Sequence, residues 1–275
     1  MSSRTTLAVL GATGMVGSRV ITEAAARGHR VLAMSRKPPR EPAHTSAYVT
    51  PLAVDVRDPH AVRAALTGPA ADDPAPRVLA ARDAAVRDAA VRDRAVGDPA
   101  VDAVADAVVL AVRTEPADAE FLVGATRTVL DAAAPLGLRV LVVGGAGALR
   151  SPGGDGLLVA DDPVHVPAEF RDVAAAGIAQ LRACQAHTGA DWVYLSPPAV
   201  LRPGARTGRY RRGTDTLLTG ADGRSWISAE DLAVAVVDEV ETPGRGRHIT
   251  VAHEDRKPEP EPEPEPVPEP IRNRA

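Results

Sequence analysis

The chain has little of what many small folds lean on. Its 275 residues include two Trp, three Tyr, two Phe and a single cysteine. Cys184 alone cannot form an internal disulfide, so a reducing, cytoplasmic location is the expectation. Long apolar runs are missing too. Residues 7–10 are far too short for a secretion signal, and nothing approaches the ~20 apolar residues of a spanning helix, so no membrane role is expected. A basic face is also absent. Of the net charge of −4, residues 258–275 contribute −3 through five Glu and two Arg, which leaves a nearly neutral body and no expectation of nucleic-acid binding. The seven histidines lack close Cys or carboxylate partners, which argues against a metal site. With so few rings, the core must come from Val, Leu, Ile and Ala, a composition suited to a parallel sheet covered on both faces.

What the chain does have begins at residue 5. An apolar strand (5–10) runs into Gly11-Ala12-Thr13-Gly14-Met15-Val16-Gly17, and an amphipathic helix follows (14–27). That order is what a dinucleotide requires. The first glycine permits a tight turn, the second lets backbone approach a pyrophosphate, and the third lets the helix lie close against the sheet with its N–H groups facing the phosphates. The next strand (30–35) ends in Ser35-Arg36-Lys37. A carboxylate at this point would hold the ribose hydroxyls of NAD, whereas Arg36 accommodates the 2′-phosphate of NADP. Strand, glycine loop, helix and basic residue in this order predict an NADP-binding site, with NADPH preferred over NADH.

Alternation continues downstream. Strands are expected at 48–54, 107–112, 139–143 and 192–195, separated by helices at 59–66, 117–134 and 167–187. The pattern predicts an α/β, Rossmann-type doubly wound parallel sheet in one domain, residues 1–257. Residues 196–252 read as a small substrate-facing lobe, with a capping box at Ser228 opening a helix through Val240 and a last strand at 247–252. Two segments break the pattern. Residues 69–100 form a low-complexity insertion whose five-residue Arg-Asp repeat matches neither helix nor strand period, and read as a marginal helix or loop. Residues 258–275 alternate Pro and Glu and read as an extended or disordered tail.

Several phrases together carry a resemblance to a known family. These are 11–17, Val142-Val143-Gly144-Gly145-Ala146-Gly147, Leu195-Ser196-Pro197-Pro198, Pro203-Gly204-Ala205-Arg206-Thr207-Gly208 and Ile227-Ser228-Ala229-Glu230-Asp231-Leu232-Ala233. The chain resembles the atypical short-chain dehydrogenase/reductase superfamily, in particular the small NAD(P)-binding reductases related to biliverdin reductase B and the NmrA-like proteins. The resemblance implies that Gly11, Thr13, Gly14, Met15 and Val16 line the pyrophosphate, with Gly17 behind them and Arg36 on the 2′-phosphate. It implies further that Asp55 and Val56 flank the adenine, that Ala111 and Val112 pass under the ribose, and that Pro197 approaches the nicotinamide.

The catalytic half departs from the superfamily pattern. The usual Tyr-x-x-x-Lys pair occurs nowhere, and relatives would carry a Tyr near Phe170 and a Ser near Ala148. Neither residue present has a hydroxyl, so no catalytic residue is assigned. Among other candidates, His165 lies in an apolar loop, Ser196 has no visible base, Ser151 sits in a turn, and Tyr194 and Cys184 read as packing. The expected function is hydride transfer from NADPH to a small conjugated acceptor, a flavin or quinone, that takes its proton from solvent. The alternatives are a non-catalytic NADP(H)-binding redox sensor with a protein partner, and an isomerase or dehydratase using bound NAD. Nothing specifies an oligomeric state.

Overall fold

A computed structural model describes residues 4–38, 47–68, 104–153 and 156–254. Its elements are β1 (Thr6–Leu10), α1 (Met15–Ala26), β2 (Arg30–Ser35), β3 (Val49–Ala53), α2 (Pro59–Thr67), β4 (Ala107–Leu110), α3 (Ala119–Ala133) and β5 (Arg139–Val143). Then follow α4 (Arg171–Ala186), β6 (Asp191–Ser196), β7 (Val200–Arg202), β8 (Tyr210–Gly213), β9 (Trp226–Ser228), α5 (Ala229–Glu241) and β10 (His248–His253). The 69–100 insertion and the 258–275 tail lie outside the described residues.

One eight-stranded sheet has the order β3-β2-β1-β4-β5-β6-β10-β8. All its pairs are parallel except β10 with β8, which closes the far edge antiparallel. This is a Rossmann-type doubly wound sheet, as the sequence pattern predicts. Pro51 falls in β3, at the open edge, where a missing N–H costs no ladder bond on the solvent side. β7 and β9 pair parallel as a separate two-stranded sheet. The sequence reading had no strand at β7, β8 or β9, because runs of three or four residues mixed with Arg and Gly carry no period.

The inner strands β1, β2, β4, β5, β6 and β10 are buried on both faces, as a parallel sheet covered by helices demands, while edge strands β3 and β8 are not. On one face Leu10, Val108, Leu110, Val140, Val142 and Tyr194 pack with α2, α3 and α4. On the other, Leu7, Val9, Val109, Leu141, Val193 and Leu195 pack with α1 and α5. Leu, Val and Ala do nearly all of this packing, which is how seven aromatics suffice.

The helix ends follow local chemistry. Asp58 and Asp118 cap α2 and α3, accepting from Ala61 N and Phe121 N. Ser228 Oγ accepts from Asp231 N at 3.0 Å, the capping contact expected for α5. The helix expected over 167–187 instead opens as a 3-10 turn, Ala168–Phe170, and becomes α-helical only at Arg171. α1 is capped by Gly14, which has no side chain to offer.

A candidate dinucleotide site at the carboxyl ends of the strands

β1 ends against a turn that only glycine can make. Gly11 has φ +93°, and a Cβ there would stand 2.2 Å from the Ala111 carbonyl oxygen. Gly11 N and Ala12 N both donate to Met34 O at 3.1 Å, which folds the loop back over the end of β2. Gly17 is equally constrained, because a Cβ would lie 2.2 Å from Gly11 O. Gly14 is less crowded, its nearest neighbour being Gly11 O at 3.2 Å.

Gly14 N donates back to Gly11 O at 2.9 Å. The N–H groups of Met15, Val16 and Gly17 occupy the first turn of α1, where no intrahelical acceptor exists. With no acidic residue in that turn, these donors and the helix dipole form an anion cradle beside exposed Thr13. Ala111 and Val112 form the opposite wall. Ala111 N donates to Leu10 O, and a Gly11 Cβ would stand 3.3 Å from Val112 Cγ1.

The end of β2 supplies the basic group. Arg36 is exposed and has no ion-pair partner among the described residues. Beside it Ser35 Oγ is buried, with no hydrogen-bond partner among the described residues. Asp55, on the loop after β3, is not free: Arg57 grips both carboxylate oxygens, at 3.1 Å from Nε and 2.7 Å from Nη2. That clamp holds the Asp55 carboxyl down at about 2, with a smaller contribution from the Arg36 charge. Val56 is buried in the core with Met34 and Leu66. The sequence reading passed over Ser35 and Arg57. The phrase Asp-Val-Arg held the signal, a carboxylate two residues from a guanidinium.

The second half of the site lies after β5. A Cβ on Gly144 would stand 1.9 Å from Tyr194 Cζ, so the Tyr194 ring lies directly over this loop. Tyr194 OH donates to Gly177 O at 2.9 Å and accepts from Gly145 N at 3.3 Å. Burial pushes this phenol up, away from ionisation at neutral pH. Tyr194 is thus a packing residue, as read, and also the pin that joins β6, α4 and the loop. Cys184 is fully buried, and burial pushes its thiol up to about 12, consistent with a small core residue. Ala148 is buried against the α3–α4 face.

Ser196, at the end of β6, does have a partner that sequence reading could not see. His248 Nε2 lies 2.9 Å from Ser196 Oγ, brought there by the parallel pairing of β10 with β6 across 52 residues. Burial lowers the His248 pKa, so the ring is neutral at pH 7. Pro197 and Pro198 follow and are buried. Ser151 donates to the Asp162 carboxylate, which ties down the loop bearing His165. Phe170 is 54% exposed at the start of α4.

Fold and glycine loop together define a dinucleotide-binding Rossmann protein. Gly11 and Gly17 face backbone that no Cβ could share, and the buried Ser35 hydroxyl, without a hydrogen-bond partner among the described residues, adjoins Arg36, which has no ion pair among them; both fit a phosphorylated nucleotide. Residues 11–243 match the NAD(P)H-binding family, and the chain belongs to it. The chain is 30% identical over 251 residues to the uncharacterized protein YwnB of Bacillus subtilis (strain 168), covering 90% of this chain and 98% of that one. A solved protein of Burkholderia pseudomallei, provisionally described as exported, is 33% identical with TM-score 0.69, over 90% of this chain and all of that one. SP1627 of Streptococcus pneumoniae, provisionally described as an NADH-flavin reductase, is 24% identical with TM-score 0.66, over 91% of this chain and all of that one. At that identity it shares the fold. No helix among the described residues is long and apolar enough to cross a membrane.

Proposed function

We propose that the protein is an NADPH-dependent oxidoreductase that passes hydride to a small conjugated acceptor such as a flavin or quinone. The observation that carries the cofactor half is the pairing of an open α1 N-terminus with Arg36 and the unpartnered Ser35 Oγ at the end of β2. The N–H groups of Met15, Val16 and Gly17 would hold the pyrophosphate, with Thr13 and Gly14 alongside. Arg36 and Ser35 would hold the 2′-phosphate by charge-assisted hydrogen bonds. Asp55, already clamped by Arg57, would flank the adenine with the Val56 backbone, while Ala111 and Val112 would pass under the ribose and Pro197 would approach the nicotinamide. When bound, NADPH supplies the hydride.

The acceptor half is inferred from what the site lacks. Phe170 and Ala148 offer no hydroxyl, and Tyr194 is buried and spent on Gly177 and Gly145. With no hydroxyl at Phe170 or Ala148, an acceptor whose reduction needs no protein acid fits this site best. A flavin or quinone qualifies: it takes the hydride, NADP⁺ leaves, and the balancing proton comes from solvent. The provisional description of SP1627 as a flavin reductase supports this choice. The buried single cysteine fits a reducing, cytoplasmic setting.

The test is NADPH oxidation by purified protein with FMN, riboflavin and a soluble quinone, alongside NADPH binding. Turnover with at least one acceptor is expected. Tight NADPH binding without turnover on any of them would overturn the reading and leave a nucleotide-sensing protein.

A further inference from the structure

Arg57, on the loop after β3, is a basic residue at the edge of the nucleotide site with no part in holding phosphate. Backbone bonds stitch the loops at this edge together. Gly11 N and Ala12 N donate to Met34 O at 3.1 Å, and Val54 N donates to Ser35 O at 3.0 Å. The end of β3 thus lies two strands from the end of β1, about 10 Å away at ~4.8 Å per strand. Ser35 and Arg36 stand between them, and the Arg36 charge is felt at Asp55. Ser35 Oγ, buried with no hydrogen-bond partner among the described residues, is an independent sign that a polar ligand belongs at this edge.

Asp55 and Arg57 are locked together within one turn. Arg57 N donates to Asp55 Oδ1 at 3.0 Å, Nε to the same oxygen at 3.1 Å, and Nη2 to Oδ2 at 2.7 Å. Asp58 N donates to Asp55 O at 3.0 Å while the Asp58 side chain caps α2, which fixes the far end of the turn. The two opposite charges cancel, so the pair adds little net attraction for phosphate. What it offers is a hydrogen-bond pattern. Oδ2 takes one short bond and only a long 3.3 Å contact from Nε, so a carboxylate with roughly four lone-pair sites has room there for a further donor. Arg57 Nη1 makes no hydrogen bond among the described residues, and the side chain is 61% exposed. An acceptor and a donor are therefore held side by side in a fixed geometry.

We infer that Asp55 and Arg57 together form the base-reading edge of the site, and that Arg57 is a specificity-determining residue for adenine. This rests on the nucleotide half of the reading above. Adenine carries an amino donor next to a ring-nitrogen acceptor, the complement of a carboxylate next to a guanidinium. A base with a carbonyl in place of the amino group would turn an acceptor toward the carboxylate and leave both without a proton to share. Arg57 has two tasks in this arrangement: it donates to the ring nitrogen, and its fork holds Asp55 in place to receive the amino group.

The experiment titrates wild type, Arg57→Ala and Arg57→Lys with NADPH and with reduced nicotinamide hypoxanthine dinucleotide phosphate, followed by nucleotide fluorescence. Both ligands carry the same 2′-phosphate, so the ratio of their affinities isolates the base from the charge. Wild type should favour NADPH roughly tenfold, and Arg57→Ala should reduce that ratio to about threefold or less. Arg57→Lys keeps the charge but not the fork and should fall between. Because Arg57 is exposed, the melting temperature of each variant should match wild type. A wild-type ratio near one, or the same ratio in wild type and Arg57→Ala, would overturn the role of Arg57, while NADPH binding would keep the nucleotide reading standing. Failure of wild type to bind either ligand would overturn the nucleotide reading and this inference with it.

Discussion

Two glycine-rich loops lie at the carboxyl ends of the strands, and they need glycine for different reasons. In the first, after β1, the forbidden volume is backbone: a side chain on Gly11 would strike the Ala111 carbonyl and one on Gly17 the Gly11 carbonyl. In the second, after β5, the forbidden volume is a side-chain ring at Gly144, where Tyr194 lies, while Gly147 is closed off by the Cβ and backbone of Ala174. A loop built against backbone presents N–H groups and binds phosphate whatever side chains surround it. Where a loop packs on a side chain, as Gly144 does on Tyr194, that side chain helps to set its shape.

The largest effect that separates the two loops should come from Gly11→Ala. The substitution combines a 2.2 Å contact with a backbone oxygen and a left-handed φ of +93°, and no rotamer change relieves either. We expect loss of measurable NADPH binding and a melting temperature lowered by several degrees, read by titration and calorimetry. Gly145→Ala, where nothing lies within 4 Å, should be nearly silent in both. If the two variants behaved alike, the contrast between the loops would fail.

Next in size is Arg36→Ala. Removing one charged partner from a phosphate costs about 1.5–3 kcal/mol, or roughly 10- to 100-fold. NADPH affinity should fall by that factor while NADH affinity stays put.

Tyr194→Phe removes the hydroxyl that bonds Gly177 O and Gly145 N but leaves the ring over Gly144. We expect about 1 kcal/mol of lost stability in urea unfolding, with NADPH binding intact and acceptor kinetics altered. An effect confined to NADPH binding would mean that the two loops are not separable.

The smallest effect concerns acid. Glu23 is buried on α1, and its carboxyl lies below the ordinary glutamate value chiefly because Arg206 bonds it, with Arg27 adding to this against the cost of burial. A lowered folded pKa stabilises above the unfolded value and is lost as pH falls through the folded one. Stability should therefore decline below about pH 4.5, and Glu23→Gln should be less stable at pH 7 but flatter in its acid response. An unchanged acid profile in the variant would show that this pair does not tie the segment bearing Arg206 to α1.

The same contrast explains what could be read from the sequence. The first loop is written in consecutive residues, so 11–17 and Arg36 located the nucleotide half, and the alternating apolar runs located the sheet. The second half is assembled from Gly145, Ala174, Gly177 and Tyr194, which lie in three separate elements. Ser196 looked solitary because His248, 52 residues on, reaches it only through the β10–β6 pairing. Ser35 was visible beside Arg36, but its buried, unpartnered hydroxyl is a fact of packing. The short strands β7, β8 and β9 escaped notice because they are held by tertiary contacts and have no pattern of their own.

The most direct test of the account is a titration of the full-length protein with NADPH and NADH, followed by nucleotide fluorescence, with Arg36→Ala in parallel. The account predicts tighter binding of NADPH than of NADH in wild type, with the difference abolished in the variant. Equal affinities that the variant leaves unchanged would contradict the assignment of the 2′-phosphate to Arg36, and failure of both nucleotides to bind would contradict the nucleotide site itself.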